Sequence, residues 1–110
     1  MKMTYKVSRV IEVIDGDTVD CLIDLGFYVM IRTRIRMIGI DAPEIKGKTK
    51  ALGEASRAWL AAALDRHKAS LVVETTKADK YGRLLGHFKC SAGSINDAMI
   101  ANGHAQFYQL

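Results

Sequence analysis

Three short clusters gather side chains able to act on a charged substrate: Asp15-Gly16-Asp17-Thr18, then Arg36 followed by Asp41-Ala42-Pro43-Glu44, then Asp79-Lys80-Tyr81-Gly82-Arg83. Aspartates supply the oxygen donors a hard cation takes, a glutamate can take a proton from water, and arginine presents a planar fork that fits paired anionic oxygens. Taken singly, each cluster also has a plainer meaning. The first is a hairpin turn, the second a strand end whose Pro43 keeps Ala42 extended, and the third an exposed turn in which Gly82 supplies positive φ. Other reactive side chains have no such grouping. His67, His87 and His104 lack partners at ligand or triad spacing, and Cys21 and Cys90 sit in strand-like segments that read as free buried thiols.

Charge is unevenly spread among the 110 residues, whose formal net value is +4. Residues 1–28 carry three basic and five acidic side chains, residues 29–50 carry six and two, and residues 51–110 carry seven and five. A basic segment following an acidic one suits a polyanionic partner with a metal or catalytic site at its edge, and suits equally a solvated strand face.

These clusters need elements to position them. Residues 5–24 alternate in hydropathy and break at Asp15-Gly16-Asp17, which predicts two strands joined by a type I′ turn with positive φ at both central positions. Leu25-Gly26-Phe27 marks the next turn. A third strand is expected over 28–40, with Arg32, Arg34 and Arg36 on one face and Ile31, Ile35 and Met37 on the other. A loop over 41–49 leads to a helix over 50–66 with Leu52, Ala55, Trp59, Ala62 and Ala63 on its inward stripe. Trp59 and Phe88 read as core. Strands over 71–76 and 84–90 follow, and a second helix starts at Ser94-Ile95-Asn96-Asp97 and stops at Gly103. Turns this short between the first three strands exclude crossovers. The order β-β-β-α-β-β-α therefore predicts an α+β domain built on a small five-stranded barrel of the oligonucleotide/oligosaccharide-binding (OB) type, one domain over residues 1–110.

With 49% hydrophobic residues and one proline, the chain is neither disordered nor fibrous. No apolar run approaches the roughly 18 residues that span a bilayer. No secretory signal is read after Lys2 and Lys6, so a cytoplasmic location is the default expectation for this chain, if complete.

In their order and spacing, Val13-Ile14-Asp15-Gly16-Asp17-Thr18, Arg36 through Glu44, Asp79 through Arg83, and the helix from Asn96 to Gly103 resemble the staphylococcal nuclease (thermonuclease) family over residues 5–108. The resemblance implies an OB-fold barrel and a calcium-dependent endonuclease that hydrolyses DNA and RNA with little sequence preference, leaving 5′-hydroxyl and 3′-phosphate ends. It further implies that Asp17, Asp41 and the backbone carbonyl of Ala42 hold Ca2+, that Arg36 and Arg83 are the catalytic arginines, and that Glu44 is the base. Lys80 and Tyr81 match residues touching the nucleotide's terminal phosphate, and Tyr108 matches a tyrosine flanking its base. Lys46 and Lys48, beside the site in the chain, are candidate phosphate contacts; Arg32 and Arg34 form either an electrostatic track or an exposed face. A monomer acting on nucleic acid without a membrane is expected.

The chemistry asks for these residue types on its own account. A phosphodiester is anionic, so attack by water needs its charge cancelled and the charge added in the pentacoordinate state stabilised. The rival reading is a catalytically inactive module of the same fold that binds nucleic acid or protein. Retention of two aspartates, a glutamate and two arginines favours the enzyme. A single-strand-binding barrel would lean on aromatic stacking, and only 7% of residues are aromatic.

Overall fold

The computed structural model describes residues 3–78 and 82–109, side chains of 76–78 excepted, so Asp79 and the expected substrate contacts Lys80 and Tyr81 lie outside the described residues. A thirteen-residue strand β1 (Met3–Asp15) is the spine of the fold. Its register with β2 (Thr18–Asp24) shifts three times, at Val7/Arg9, Val10/Glu12 and Val13/Asp15. Such bulges bend a strand and increase its twist. Bent in this way, β1 pairs β2 from Lys6 to Asp15 and β5 (Val72–Ala78) from Met3 to Lys6. β3 (Met30–Met37) pairs β2 along its whole length, and β6 (Leu84–Cys90) pairs β5 antiparallel. Parallel pairing of Ile35, Arg36 and Met37 with Leu84, Leu85 and Gly86 then closes the five strands into a barrel. The OB-type α+β barrel expected from the sequence is the observed fold.

Val19, Cys21, Ile35, Met37, Val73 and Phe88 fill the interior, capped by Leu60 and Leu64 of α1 (Lys50–Arg66) and Met99 of α2 (Ile95–Ala101). Cys21 is buried, and burial pushes its thiol up to about 12; Cys90 is only half-buried, contrary to the buried thiol expected. Two-residue strands β4 (Ile40–Asp41) and β8 (Gln106–Phe107) pair with each other, and β7 (Gly93–Ser94) extends β6. α2 is capped at both ends as its sequence predicts. Ser94 Oγ accepts from Asp97 N at 3.0 Å, while beyond the last turn Gly103 N donates to Ile100 O and His104 N to Met99 O.

Three further expectations fail for identifiable reasons. The third strand begins at Met30 and not at 28, because Phe27 and Tyr28 have φ of 53° and 65° and belong to the turn. The turn at Asp15-Gly16-Asp17 has no positive φ, so it is not type I′; Asp15 Oδ1 accepts from Asp17 N at 3.0 Å instead. The buried stripe of α1 is Gly53, Ser56, Leu60, Ala63 and Leu64, turned away from the one expected: Leu52, Ala55 and Ala62 are exposed. Trp59 is half-buried at the core's edge, stacked on His104 with centroids 5.4 Å apart.

Candidate active site

The end of the barrel where β2 begins and β3 ends gathers the first two clusters. Met37 N donates to Asp17 O at 2.7 Å, which fixes Asp17 at the mouth of the β2–β3 pair. Its carboxylate accepts from Ala42 N at 2.9 Å and from Thr18 Oγ1 at 3.0 Å. Arg36 Nη2 lies 3.6 Å from Asp17 Oδ2 and 3.6 Å from Asp41 Oδ1, and Nη1 donates to Met37 O at 2.7 Å. One largely buried guanidinium thus bridges two carboxylates of unlike setting: the side chain of Asp17 is 10% exposed and that of Asp41 61%. Burial, reinforced by the neighbouring Asp15, pushes the Asp17 carboxyl up to about 6, against the lowering effects of Ala42 N and Arg36.

Two glycines hold the clusters together by what they lack. A Cβ on Gly16 would lie 2.7 Å from Ala42 Cβ and 2.8 Å from Ser56 Cβ, so glycine lets the first cluster press against the second and against α1. A Cβ on Gly53 would lie 2.2 Å from the carbonyl oxygen of Glu44. The same carbonyl accepts from Thr49 Oγ1 at 2.8 Å, so the backbone of Glu44 is seated on the helix while its side chain is exposed. Ser56 also ties α1 to the C-terminal segment through its hydroxyl, 2.6 Å from His104 O.

That segment completes the group. The β4–β8 ladder sets Gln106 opposite Asp41, Tyr108 N donates to Gly39 O at 2.9 Å, and the exposed Tyr108 ring lies 6.0 Å from the Arg36 guanidinium carbon. Asn96 of α2, fully buried, bonds Ile38 O, Gly86 O and Phe88 N, and so pins the seam between β3 and β6. Arg83 is half-buried immediately before Leu84, the partner of Ile35, and so leads into the strand beside the one carrying Arg36.

Of the expected site residues, the structure unites Asp17, Asp41, Ala42, Arg36 and Tyr108, with Arg83 just before the adjoining strand. Glu44 follows within three residues of Asp41, and its carboxylate makes no hydrogen bond within this group. Lys46 and Lys48 are exposed on the loop beyond it. Arg34 is not a bare track residue: its Nε and Nη2 lie 2.7 and 3.1 Å from the two oxygens of Asp20, which Arg32 also approaches at 3.5 Å. This fork holds the Asp20 carboxyl below its ordinary range. Gly53 and Ser56 escaped the sequence reading, and Gly16 and Asn96 entered it only as parts of a turn and a helix start. Of the two missed, Gly53 left a signal there, as a glycine inside an otherwise strong helix.

Two carboxylates and a loop carbonyl make an oxygen-only donor set, which suits a hard cation such as calcium and not a thiophilic one. Among the described residues no three acidic, histidine or cysteine side chains converge as a ready-made metal cage. A cation held by these donors would complete its shell with water and substrate oxygens.

A family model described as staphylococcal nuclease homologue matches residues 34–110. The chain is 34% identical to Protein ParB of Escherichia coli over 93% of its own length and 57% of that protein. It is 33% identical to an uncharacterized endonuclease of Escherichia coli over 93% of this chain and 61% of that one. It is 35% identical to a micrococcal nuclease of Shigella flexneri over 93% and 58%. It thus spans somewhat more than half the length of these relatives.

Proposed function

Because the chain belongs to the family of staphylococcal nuclease homologues, we propose that it is a calcium-dependent endonuclease that hydrolyses phosphodiester bonds of DNA and RNA. The observation that supports this reading best is Arg36 held between Asp17 and Asp41 with Tyr108 beside it, one anion-binding fork next to two oxygen ligands and one aromatic face.

Asp17, Asp41 and the Ala42 carbonyl would hold the calcium ion, which when bound would supply positive charge against the scissile phosphate. Arg36 and Arg83 donate to the non-bridging oxygens and bind them more strongly as charge builds in the pentacoordinate state. Glu44, exposed at the loop's edge, orients a water and takes its proton as the oxygen attacks phosphorus. The P–O5′ bond breaks, the 5′-oxygen takes a proton from solvent, and the products are a 5′-hydroxyl and a 3′-phosphate. Tyr108 offers a face for the nucleotide base, and Lys46 and Lys48 with Lys80 and Tyr81 hold flanking phosphates.

The test is degradation of supercoiled plasmid and of RNA by purified protein with calcium, with magnesium and with chelator. Cleavage of both with calcium, little with magnesium and none with chelator is expected, since magnesium demands tighter octahedral geometry and gives up water reluctantly. Binding without cleavage under every condition would put the inactive nucleic-acid-binding module in its place. Undiminished cleavage in excess chelator would remove the metal assignment.

A further inference from the structure

The hairpin between β2 and β3 holds six of the ten large hydrophobic side chains exposed among the described residues: Leu25, Phe27, Tyr28, Val29, Met30 and Ile31. Phe27 is 97% and Tyr28 102% exposed, so neither ring packs on the protein. Both have left-handed backbones, unfavourable for a bulky L-residue. The turn is nevertheless tied, by Leu25 N to Val29 O at 2.8 Å, Val29 N to Gly26 O at 2.9 Å and Gly26 N to Asp24 Oδ1 at 2.8 Å. Backbone strain that displays two rings to water stabilises nothing in the isolated fold, and points to a ligand that covers them.

The strand leaving this hairpin says which ligand. Along the outer face of β3, Arg32 and Arg34 lead from the tip to Arg36, alternate residues standing about 7 Å apart. Arg34 holds both oxygens of Asp20 and also feels Glu12 and Asp15, whereas Arg32 is 64% exposed and only approaches Asp20 at 3.5 Å, which leaves its guanidinium open to an anion. We propose that this face is an extension of the substrate site for single-stranded polynucleotide: its phosphates run from Arg36 past the Asp20-bound Arg34 to the exposed Arg32, and its unpaired bases stack on Phe27 and Tyr28. The proposal rests on the nuclease reading. Single strands are favoured over duplex because only unpaired bases offer faces to exposed rings. The path from Arg36 to Met30 is about 20 Å, so a dinucleotide at the catalytic group cannot reach the tip.

Phe27→Asn with Tyr28→Asn removes both rings and keeps a residue type that accepts left-handed backbone. Binding of fluorescent dodecathymidylate, read by anisotropy in chelator to prevent cleavage, should weaken about tenfold or more. Cleavage of a dinucleotide ester in calcium should be unchanged, as should the melting temperature. Arg32→Gln, which leaves the Arg34–Asp20 fork in place, should lower the salt dependence of dodecamer binding by about one phosphate contact. Equal dodecamer affinity in the double variant with intact dinucleotide cleavage overturns the track and leaves the nuclease standing. Equal affinity together with a wild-type dimer, seen by sedimentation and lost in the variant, makes the hairpin a self-association surface. Failure of wild-type protein to bind or cleave either substrate removes both readings together.

Discussion

Replacing Asp17 with asparagine should make the metal-free protein more stable while abolishing its activity. The Asp17 carboxyl lies in a largely buried position and is pushed up from 3.8 to about 6, so at neutral pH the fold carries an ionised group it would bind better protonated. At about 1.4 kcal/mol per pH unit, this burden is about 3 kcal/mol. Asparagine keeps the size and an oxygen for Ala42 N, but buries an amide N–H pair imperfectly matched to its surroundings, which gives back about 1 kcal/mol. The net expectation is about 2 kcal/mol, or about 8 °C in melting temperature for a domain of this size.

The sign of the pH dependence follows from the raised value. The folded state holds its proton more tightly than the unfolded chain, so the contribution of Asp17 is favourable below pH 4 and is lost as pH rises through about 6. Urea denaturation of both proteins in chelator, from pH 4 to pH 8, should show the asparagine variant gaining its advantage across that interval; groups that do not act on Asp17, Asp20 among them, cancel in the difference. Calcium at about 100 times its Kd should then stabilise the wild type by about 3 kcal/mol and the variant by much less. A variant no more stable than wild type at pH 8, or a difference that stays constant from pH 4 to pH 8, would refute the argument.

Glu44→Gln should lower single-turnover cleavage by about 10²-fold or more while nucleotide affinity is kept or improved, and affinity falling in step with rate would move the base elsewhere. Arg36→Lys and Arg83→Lys should each slow cleavage by about two orders of magnitude, because lysine keeps the charge and loses the fork. Arg32→Lys and Arg34→Lys are the controls and should leave cleavage of short substrates nearly unchanged. Gly53→Ala separates two effects of opposite sign: propensity alone would stabilise the helix by about 1 kcal/mol. The clash with the Glu44 carbonyl should instead destabilise by about 1–3 kcal/mol, measured by chemical denaturation.

Element type was legible wherever periodicity ran long enough to be read. The bounds of α1 and β6 are those the sequence predicts, since an alanine-rich helical run and a short strand bounded by glycine turns have few alternatives. The rotation of α1 was not legible. Leu52 and Ala55 look inward-facing by hydropathy, but Gly53 and Ser56 take that side because only small residues admit the Glu44 backbone and the Gly16 turn. Tyr28 reads as strand because aromatic residues favour strands, a preference overridden by a turn that displays it beside Phe27. The pairing of Ile40 and Asp41 with Phe107 and Gln106 is too short for any period, yet it brings Tyr108 to Arg36.

The three arginines of β3 show how one face of a strand acquires different roles. Their shared parity is plain in the sequence, but what each guanidinium does depends on the residue opposite it on β2. Arg34 faces Asp20 and closes a fork at 2.7 and 3.1 Å, within the range of strong charge-assisted bonds. Arg36 faces Thr18, which offers no charge, so its side chain reaches beyond the strand to Asp17 and Asp41. Contacts of 3.6 Å to both are longer than such bonds prefer. They orient the guanidinium without saturating it. Of the two, Arg36 is therefore the one whose donors can turn to a phosphate at small cost, and Arg34 the one whose removal strands a buried carboxylate. A single exchange of acid for threonine across the β2–β3 ladder thus divides a structural arginine from the one proposed for catalysis, two residues apart on the same face.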